Sequence, residues 1–209
     1  LYTTEDARAC SPLFSPVRYE QTIELGRDIR ATFYDAGHTL GSAMLELRMK
    51  EKGTEKTILF SGDIGRWGKP ILQEPTLFET ADYVVMESTY GDRLLEPVAD
   101  MPGELADNIN WTVKAGGNIV IPSFAFERAQ EVLYYLNQLL LEDRIPHLMV
   151  FLDSPMAVSI TEVFQQAPEL LDEEMLRLMR QGKSPFEFPG LHLVSTTDQS
   201  KAINHITGT

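Results

Sequence analysis

The chain has 209 residues, of which 43% are hydrophobic and 23% are charged, and its formal net charge is −13 at pH 7. This length suits one large domain or two small ones of ordinary globular composition. No stretch reaches the roughly 18 apolar residues of a membrane span, and the acidic charge argues against broad nonspecific nucleic-acid binding without excluding a local basic groove. Cys10 is the single cysteine, so an internal disulfide is excluded. We therefore expect a reducing compartment and a cytoplasmic location.

The first half of the chain has the pattern of a β-rich domain. Residues 1–8 predict a short helix with Thr3 or Thr4 as its cap. A charged loop around Gly53 predicts a hairpin. Apolar runs, some of them alternating with polar residues, predict strands at residues 29–34, 42–49, 57–60 and 83–86.

The second half of the chain alternates between segments with the apolar spacing of a helix and short apolar runs typical of strands. Helical spacing predicts helices at residues 105–114, 127–142, 156–164, 172–181 and 197–205, the last capped at Thr197 or Asp198. Apolar runs predict strands at residues 118–122, 147–152 and 191–194. This alternation predicts an α/β fold with a parallel sheet. Pro97, Pro102 and Gly103 indicate a linker, so we expect one domain at 1–100 and a second at 101–209.

Three of the predicted strands are followed by side chains that can bind metal. His38, Asp63 and Glu87 each follow an apolar run, and the ends of strands in one sheet can converge. Imidazole and carboxylate are ligands of catalytic zinc, which brings the pKa of a bound water to around 7. Each residue also has a plain interpretation: a core or loop histidine, a turn aspartate, and a helix cap or ion-pair partner.

Five short motifs, in order, resemble those of the β-CASP nucleases, which have the metallo-β-lactamase fold and process RNA. The motifs are AGHTLGSA at residues 36–43, SGDIGR at 61–66, ESTYGDR at 87–93, IPSFAFERAQE at 121–131 and DSPMA at 153–157. They span most of the chain. The resemblance implies an α/β chain made of a partial metallo-β-lactamase domain, with the β-rich half of its αββα arrangement, followed by a parallel-sheet β-CASP domain.

The resemblance also implies roles for individual residues. His38 would bind one Zn²⁺, and Asp63 would bridge a pair of Zn²⁺ ions in a complete active site. Glu87 would be the acidic residue near the metals, orienting a later histidine that protonates the leaving group. Ser88 and Arg128 would contact the substrate, although Arg128 could equally be a solvated or ion-paired helix residue. Asp153 could be only a cap for the next helix.

The chain also departs from the family pattern. The family's His-x-His-x-Asp-His cluster is absent, because the four histidines, His38, His147, His192 and His205, are far apart in sequence. The last three match no ligand position of the family and are expected to be structural or on the surface. We therefore expect a piece of a longer β-CASP protein, with zinc absent or incomplete and little activity in this chain alone.

The resulting hypothesis is a zinc-dependent RNA phosphodiesterase that cleaves single-stranded RNA, as an endonuclease, an exonuclease or both, in a cleft between its domains. A homodimer is allowed and a membrane is not expected. Three alternatives stay open at this point. They are a noncatalytic β-CASP scaffold subunit, another metallo-β-lactamase-fold hydrolase such as a thioester or lactam enzyme, and a ligand-binding α/β domain whose acidic residues are structural.

Overall fold

The computed structural model describes residues 2–94 and 100–206, which separate into two compact units. Unit 1 comprises residues up to 38, 42–64 and 75–87, and unit 2 comprises residues 39–41, 65–74 and those from 88 onward. Helices and strands are both present, so the chain is of the predicted α/β class. Pro97, part of the predicted linker, lies outside the described residues. Across the described ranges, no helix is both long and apolar enough to cross a membrane.

A five-stranded sheet forms most of unit 1, and its strands lie side by side in chain order. They are β1 (Thr22–Gly26), β2 (Ile29–Asp35), β3 (Ala43–Glu51), β4 (Thr54–Phe60) and β5 (Tyr83–Val85). The strands from β1 to β4 pair antiparallel, and β5 pairs parallel with β4. Helix α1 (Thr4–Cys10) precedes the sheet and begins at a capping box of Thr3 and Asp6, which confirms the predicted helix and its Thr3 cap.

The hairpin between β3 and β4 turns through two residues. Lys52 and Gly53 have φ angles of 50° and 85°, the positive values that a two-residue hairpin turn of type I′ requires. The twist of this turn matches that of the strands that it joins. The hairpin predicted around Gly53 is therefore confirmed.

Unit 1 has a small core. Ala36, Met44 and Leu59 are buried, and Phe78 and Ala81 pack against them. The last strand in the sheet order, β5, keeps each of its side chains more than half exposed.

Unit 2 alternates helices with two short strands. Its helices are α2 (Met101–Lys114), α3 (Arg128–Leu141), α4 (Pro155–Gln166), α5 (Glu173–Arg180) and α6 (Thr197–Ile203). Its strands, β6 (Val150–Asp153) and β7 (Leu191–Val194), pair parallel, as the alternation predicted. The cap of α6 is Thr196, in a capping box with Gln199, so the prediction of Thr197 or Asp198 is wrong by one or two residues.

The core of unit 2 is larger and lies around α3. Leu133, Leu136 and Leu139 of this helix are almost fully buried. They recur at intervals of three residues, as expected for one face of a helix. Aromatic and aliphatic side chains from other elements complete the core, among them Ile71, Ile109, Phe164, Met175 and Phe186.

The strand predicted at residues 118–122 is absent from the structure. An extended segment becomes a strand only when its backbone N–H and C=O groups pair with a neighbour. No described residue pairs with this segment in a sheet, and Val120 is 86% exposed. The apolar composition of this segment predicted a buried strand, but no described backbone pairs with it and its side chains are not buried.

Candidate active site

The sheet of unit 1 brings three strand ends to one edge. Because β2 and β4 both run antiparallel to β3, they run in the same direction, and β5 runs parallel to β4. The carboxyl ends of β2, β4 and β5 therefore share an edge of the sheet. His38, Asp63 and Glu87 follow these three ends by two or three residues. The sheet topology thus places all three predicted site residues at the same edge.

The turn that carries His38 is held by local hydrogen bonds. The Gly37 N–H donates to Asp35 Oδ1 at 2.7 Å, and the His38 N–H donates to Ser42 Oγ at 3.1 Å. Gly37 has a φ of +61°, and a Cβ there would lie 2.8 Å from the backbone nitrogen of Pro75. Only glycine meets both conditions without strain, which explains the Gly-His pair in the sequence.

Two further groups support this turn. The Tyr19 hydroxyl donates to the Ser42 carbonyl at 2.7 Å, and burial raises the pKa of Tyr19 to about 12. Burial also raises the pKa of the Asp35 carboxyl, although the hydrogen bond from Gly37 opposes this. Tyr19 was missed by the sequence reasoning, since a tyrosine in a loop some 20 residues before its partner leaves no local pattern.

The loop that carries Asp63 is joined to Glu87 by a chain of hydrogen bonds. Beyond the last β4–β5 pair, the Ser61 N–H donates to the Val85 carbonyl at 2.9 Å, and the Glu87 N–H donates to Ser61 Oγ at 3.1 Å. The Ile64 N–H in turn donates to Glu87 Oε1 at 2.7 Å. The carboxylate of Glu87 is therefore held against the residue next to Asp63.

The metal-binding side chains at this edge do not by themselves make a zinc site. Within residues 2–94 and 100–206, no group of three or more His, Cys, Asp or Glu side chains is arranged to hold a metal ion. Catalytic zinc usually takes three protein ligands. His38 and Asp63 have suitable chemistry, but the described residues do not complete a zinc site, and the ligand assignment stays a prediction.

Arg128 lies in unit 2, at the first position of α3. Its guanidinium donates to Glu131 Oε2 at 2.6 Å, and Arg66 donates to Glu131 Oε1 at 3.1 Å. The ion-paired interpretation of Arg128 is thus observed, and its predicted contact with substrate is untested. Arg66 is the last residue of the SGDIGR motif and Glu131 the last of IPSFAFERAQE, and the sequence alone predicted no role for either.

Lys69, in the same loop as Arg66, forms a second ion pair with α3. Its Nζ lies 3.1 Å from Glu127 Oε1. Burial raises the pKa of Glu127, and the charge of Lys69 only partly offsets this. Glu127 also has a positive φ of 70°, a conformation that costs energy in a non-glycine residue and often marks functional regions. The loop is therefore held to the start of α3 by two ion pairs.

Ser88, Asp153 and His192, which were also considered from the sequence, make ordinary structural contacts. Ser88 is exposed, and its carbonyl accepts from the Gly91 N–H at 3.0 Å in a tight turn. Asp153 does not cap α4, because Ser154 does, and the carboxylate of Asp153 instead accepts from Ser200. His192 stacks on Phe151 at 5.0 Å between ring centroids, in agreement with a structural role.

A family model described as the Beta-Casp domain matches residues 129–209. Ribonuclease TTHA0252 from Thermus thermophilus is 36% identical over 204 residues, which cover 98% of this chain and 46% of the relative. Endoribonuclease YSH1 from Eremothecium gossypii is 30% identical, over 95% of this chain and 26% of the relative.

The transcription termination factor FttA from Methanosarcina mazei is 33% identical, over 82% of this chain and 27% of the relative. The chain therefore spans less than half the length of these three relatives. Their names and the matched domain agree with the family indicated by the five sequence motifs. The chain belongs to the β-CASP family of metallo-β-lactamase-fold RNA nucleases.

Proposed function

We propose that this chain is part of a zinc-dependent RNA phosphodiesterase, in which His38 and Asp63 bind metal and Asp63 bridges two Zn²⁺ ions. The main support for the proposal is the sheet of unit 1, in which the residues that follow β2, β4 and β5 all lie at the same edge. The names of two relatives, a ribonuclease and an endoribonuclease, support RNA as the substrate. When bound, zinc would supply Lewis acidity and an activated water.

Glu87 acts in this proposal as a positioning residue. Its backbone N–H is bound by Ser61 and its carboxylate binds the Ile64 N–H, so it keeps the Asp63 loop close to the end of β5. A ligand loop held in this way keeps its carboxylate in place before metal binds, which lowers the cost of assembling the site.

Unit 2 would supply contacts to the substrate. Arg128 has a half-exposed guanidinium at the start of α3, and Ser88 follows Glu87 directly in the chain. A guanidinium can bind a phosphate through two N–H groups at once. We expect these contacts to be made to single-stranded RNA. The proposal places the protein in the cytoplasm and is compatible with a homodimer.

The proposal is tested by RNA cleavage with the protein expressed from its complete reading frame. We expect Asp63→Asn and His38→Ala to lower kcat/KM on a labelled single-stranded RNA by on the order of 100-fold or more, since each removes a metal ligand. Asp107→Asn, which changes an exposed aspartate of α2, is the matched control. Cleavage by Asp63→Asn at the wild-type rate would overturn the assignment.

A noncatalytic scaffold subunit is the second candidate. One relative is named as a transcription termination factor, and the described residues do not complete a zinc site. The same experiment separates the two candidates, because a scaffold binds the labelled RNA and leaves it intact. Hydrolysis of a thioester or lactam without RNA cleavage would instead favour another metallo-β-lactamase-fold hydrolase.

A further inference from the structure

Unit 2 contains a buried carboxylate that holds two arginines. The side chain of Glu131 is only 2% exposed, whereas those of Arg66 and Arg128 are 53% and 51% exposed. Each arginine donates to a different oxygen of this carboxylate. Because the two oxygens share one carbon, the two guanidinium groups are neighbours, with the carboxylate beneath them and solvent above.

The charges of this cluster do not cancel. Two guanidinium groups and one carboxylate leave a net charge of +1 on an exposed surface of a chain whose net charge is −13. The hydrogen bonds recorded among the described residues use one N–H of Arg66 and one of Arg128. A guanidinium has five N–H donors, so each arginine has donors that its hydrogen bond to Glu131 does not use.

A cavity adjoins Arg66. It has a volume of about 260 Å³, and its lining includes Arg66, Trp67, Asp100 and Tyr135. Trp67 is 59% exposed, although it lies in a loop held to α3 by two ion pairs. An exposed indole on a fixed loop, beside a guanidinium, suits the stacking of a nucleobase.

The remaining walls favour a nucleoside over a second phosphate. The Asp100 carboxylate accepts the Gly103 N–H at 2.8 Å, and its negative charge repels phosphate from that end of the cavity. A carboxylate can, however, accept hydrogen bonds from a ribose hydroxyl or from the amino group of a base. The cavity and the arginines thus provide adjacent places for the two parts of a nucleotide.

We propose that Arg66 and Arg128, positioned by buried Glu131, bind one phosphodiester group of single-stranded RNA, while the adjoining cavity receives the neighbouring nucleoside with its base against Trp67. The inference rests on the proposed function, since it takes RNA as the ligand. It adds to that function a subsite in unit 2, outside the metal-binding edge of unit 1. Glu131 is a positioning residue, because it acts through the two arginines.

The decisive variant is Glu131→Gln, tested in the protein expressed from its complete reading frame. Long-range electrostatics predicts that removing a negative charge tightens the binding of RNA. The positioning role predicts the opposite, because Gln offers one oxygen acceptor and no charge to hold two guanidinium groups. We expect roughly fivefold to tenfold weaker binding of a short fluorescein-labelled oligouridylate, measured by anisotropy.

Single-arginine variants keep the test valid if Glu131→Gln fails to fold. Arg66→Gln and Arg128→Gln each leave Glu131 paired with the other arginine. We expect each to weaken binding and to reduce the slope of log K against log salt by less than about 0.7, the value for a whole phosphate on a single strand, because the remaining arginine still contacts the shared phosphodiester group. Arg177→Gln is the matched control, since Arg177 pairs with the exposed Glu174 across the same three-residue spacing of a helix.

The base contact is tested by Trp67→Ala, which should weaken binding of the oligouridylate roughly tenfold. Ribose phosphate, used as a competitor, should bind the variant and the wild type with nearly equal affinity, because that probe lacks a base. Inorganic phosphate should compete only weakly with the oligonucleotide, since it fills the arginine position alone.

The outcomes separate this inference from the proposed function. If the wild type cleaves RNA and all these variants bind it normally, with only their melting temperatures lowered, the arginines serve the fold and the subsite is excluded. Tighter binding by Glu131→Gln also overturns it. If the wild type neither binds nor cleaves RNA, the proposed function fails and the subsite fails with it.

Discussion

Glu87 Oε1 accepts a hydrogen bond from the backbone N–H of Ile64 at 2.7 Å. This bond joins the residue after β5 to the loop after β4, and the residue that it holds is the immediate neighbour of Asp63. It links Glu87 to the backbone directly beside Asp63, so two of the three residues that the sequence singled out share one hydrogen-bonded loop. It shows that Glu87 has a role in the loop geometry before any metal or substrate is considered.

Removal of the Glu87 carboxylate is therefore expected to loosen the Asp63 loop. Glu87→Ala should lower the free energy of unfolding by about 1–2 kcal/mol, as for a lost hydrogen bond to a partly buried charged group. It should also speed hydrogen exchange of the Ile64 amide. Glu87→Gln retains an acceptor oxygen and should preserve most of that protection. Equal exchange rates at Ile64 in Glu87→Ala and the wild type would contradict the assigned role.

The turn before His38 should be intolerant of a side chain at Gly37. Gly37→Ala forces a positive φ on alanine and places its Cβ 2.8 Å from the Pro75 backbone nitrogen. Gly53 has a φ of +85° but nothing within 4 Å of the same position, so Gly53→Ala is a control for the φ strain alone.

We expect Gly37→Ala to be less stable than Gly53→Ala by at least about 1 kcal/mol, because overpacking adds to the backbone strain. Urea unfolding of both variants measures the difference. Equal losses of stability would mean that the backbone around Pro75 gives way freely, and that its approach to Gly37 does not restrain the His38 turn.

Asp172 provides a pH-dependent test in unit 2. Its Oδ1 accepts the Met175 N–H at 2.6 Å and caps α5, while burial raises the pKa of its carboxyl. A raised pKa in the folded state means that ionisation favours the unfolded chain. The stabilising contribution is therefore greatest below the ordinary pKa and falls as the pH rises through the folded-state pKa.

Asp172→Asn keeps the cap and removes this titration, so its free energy of unfolding should match the wild type in acid and exceed it at neutral pH. Asp172→Ala loses the cap and should cost about 1 kcal/mol. Urea unfolding at two pH values checks both. A difference between Asp172→Asn and wild type that is independent of pH would show that burial does not perturb this carboxyl.

Zinc binding by the 209-residue chain is expected to be weak. The part of the chain that the structure describes holds no group of three or more metal-binding side chains, and two donors cannot supply the usual three protein ligands. Calorimetric titration should therefore detect no tight site, and His38→Ala should abolish any weak signal. Two tight sites would contradict the view that these residues are an incomplete centre.

Local patterns of apolar residues in the sequence predicted much of the fold. The two-residue alternation of residues 42–49 and the helical spacing of Leu133, Leu136 and Leu139 each reflect one element's own exposed and buried faces. Those elements appear within a few residues of their predicted bounds. Residues 118–122 are the exception, because an apolar run forms a strand only where another backbone pairs with it.

The sequence by itself determined the family and most of the strand-and-helix order, and it indicated His38, Asp63 and Glu87 as candidate site residues, because motifs and periodicities lie along consecutive residues. Only the tertiary structure decided which strand ends share an edge, and that Glu87 holds Ile64 and Glu131 holds Arg66. The partners in these contacts are 23 and 65 residues apart. Such pairings depend on how the sheet and helices bring distant loops together, which no local pattern encodes.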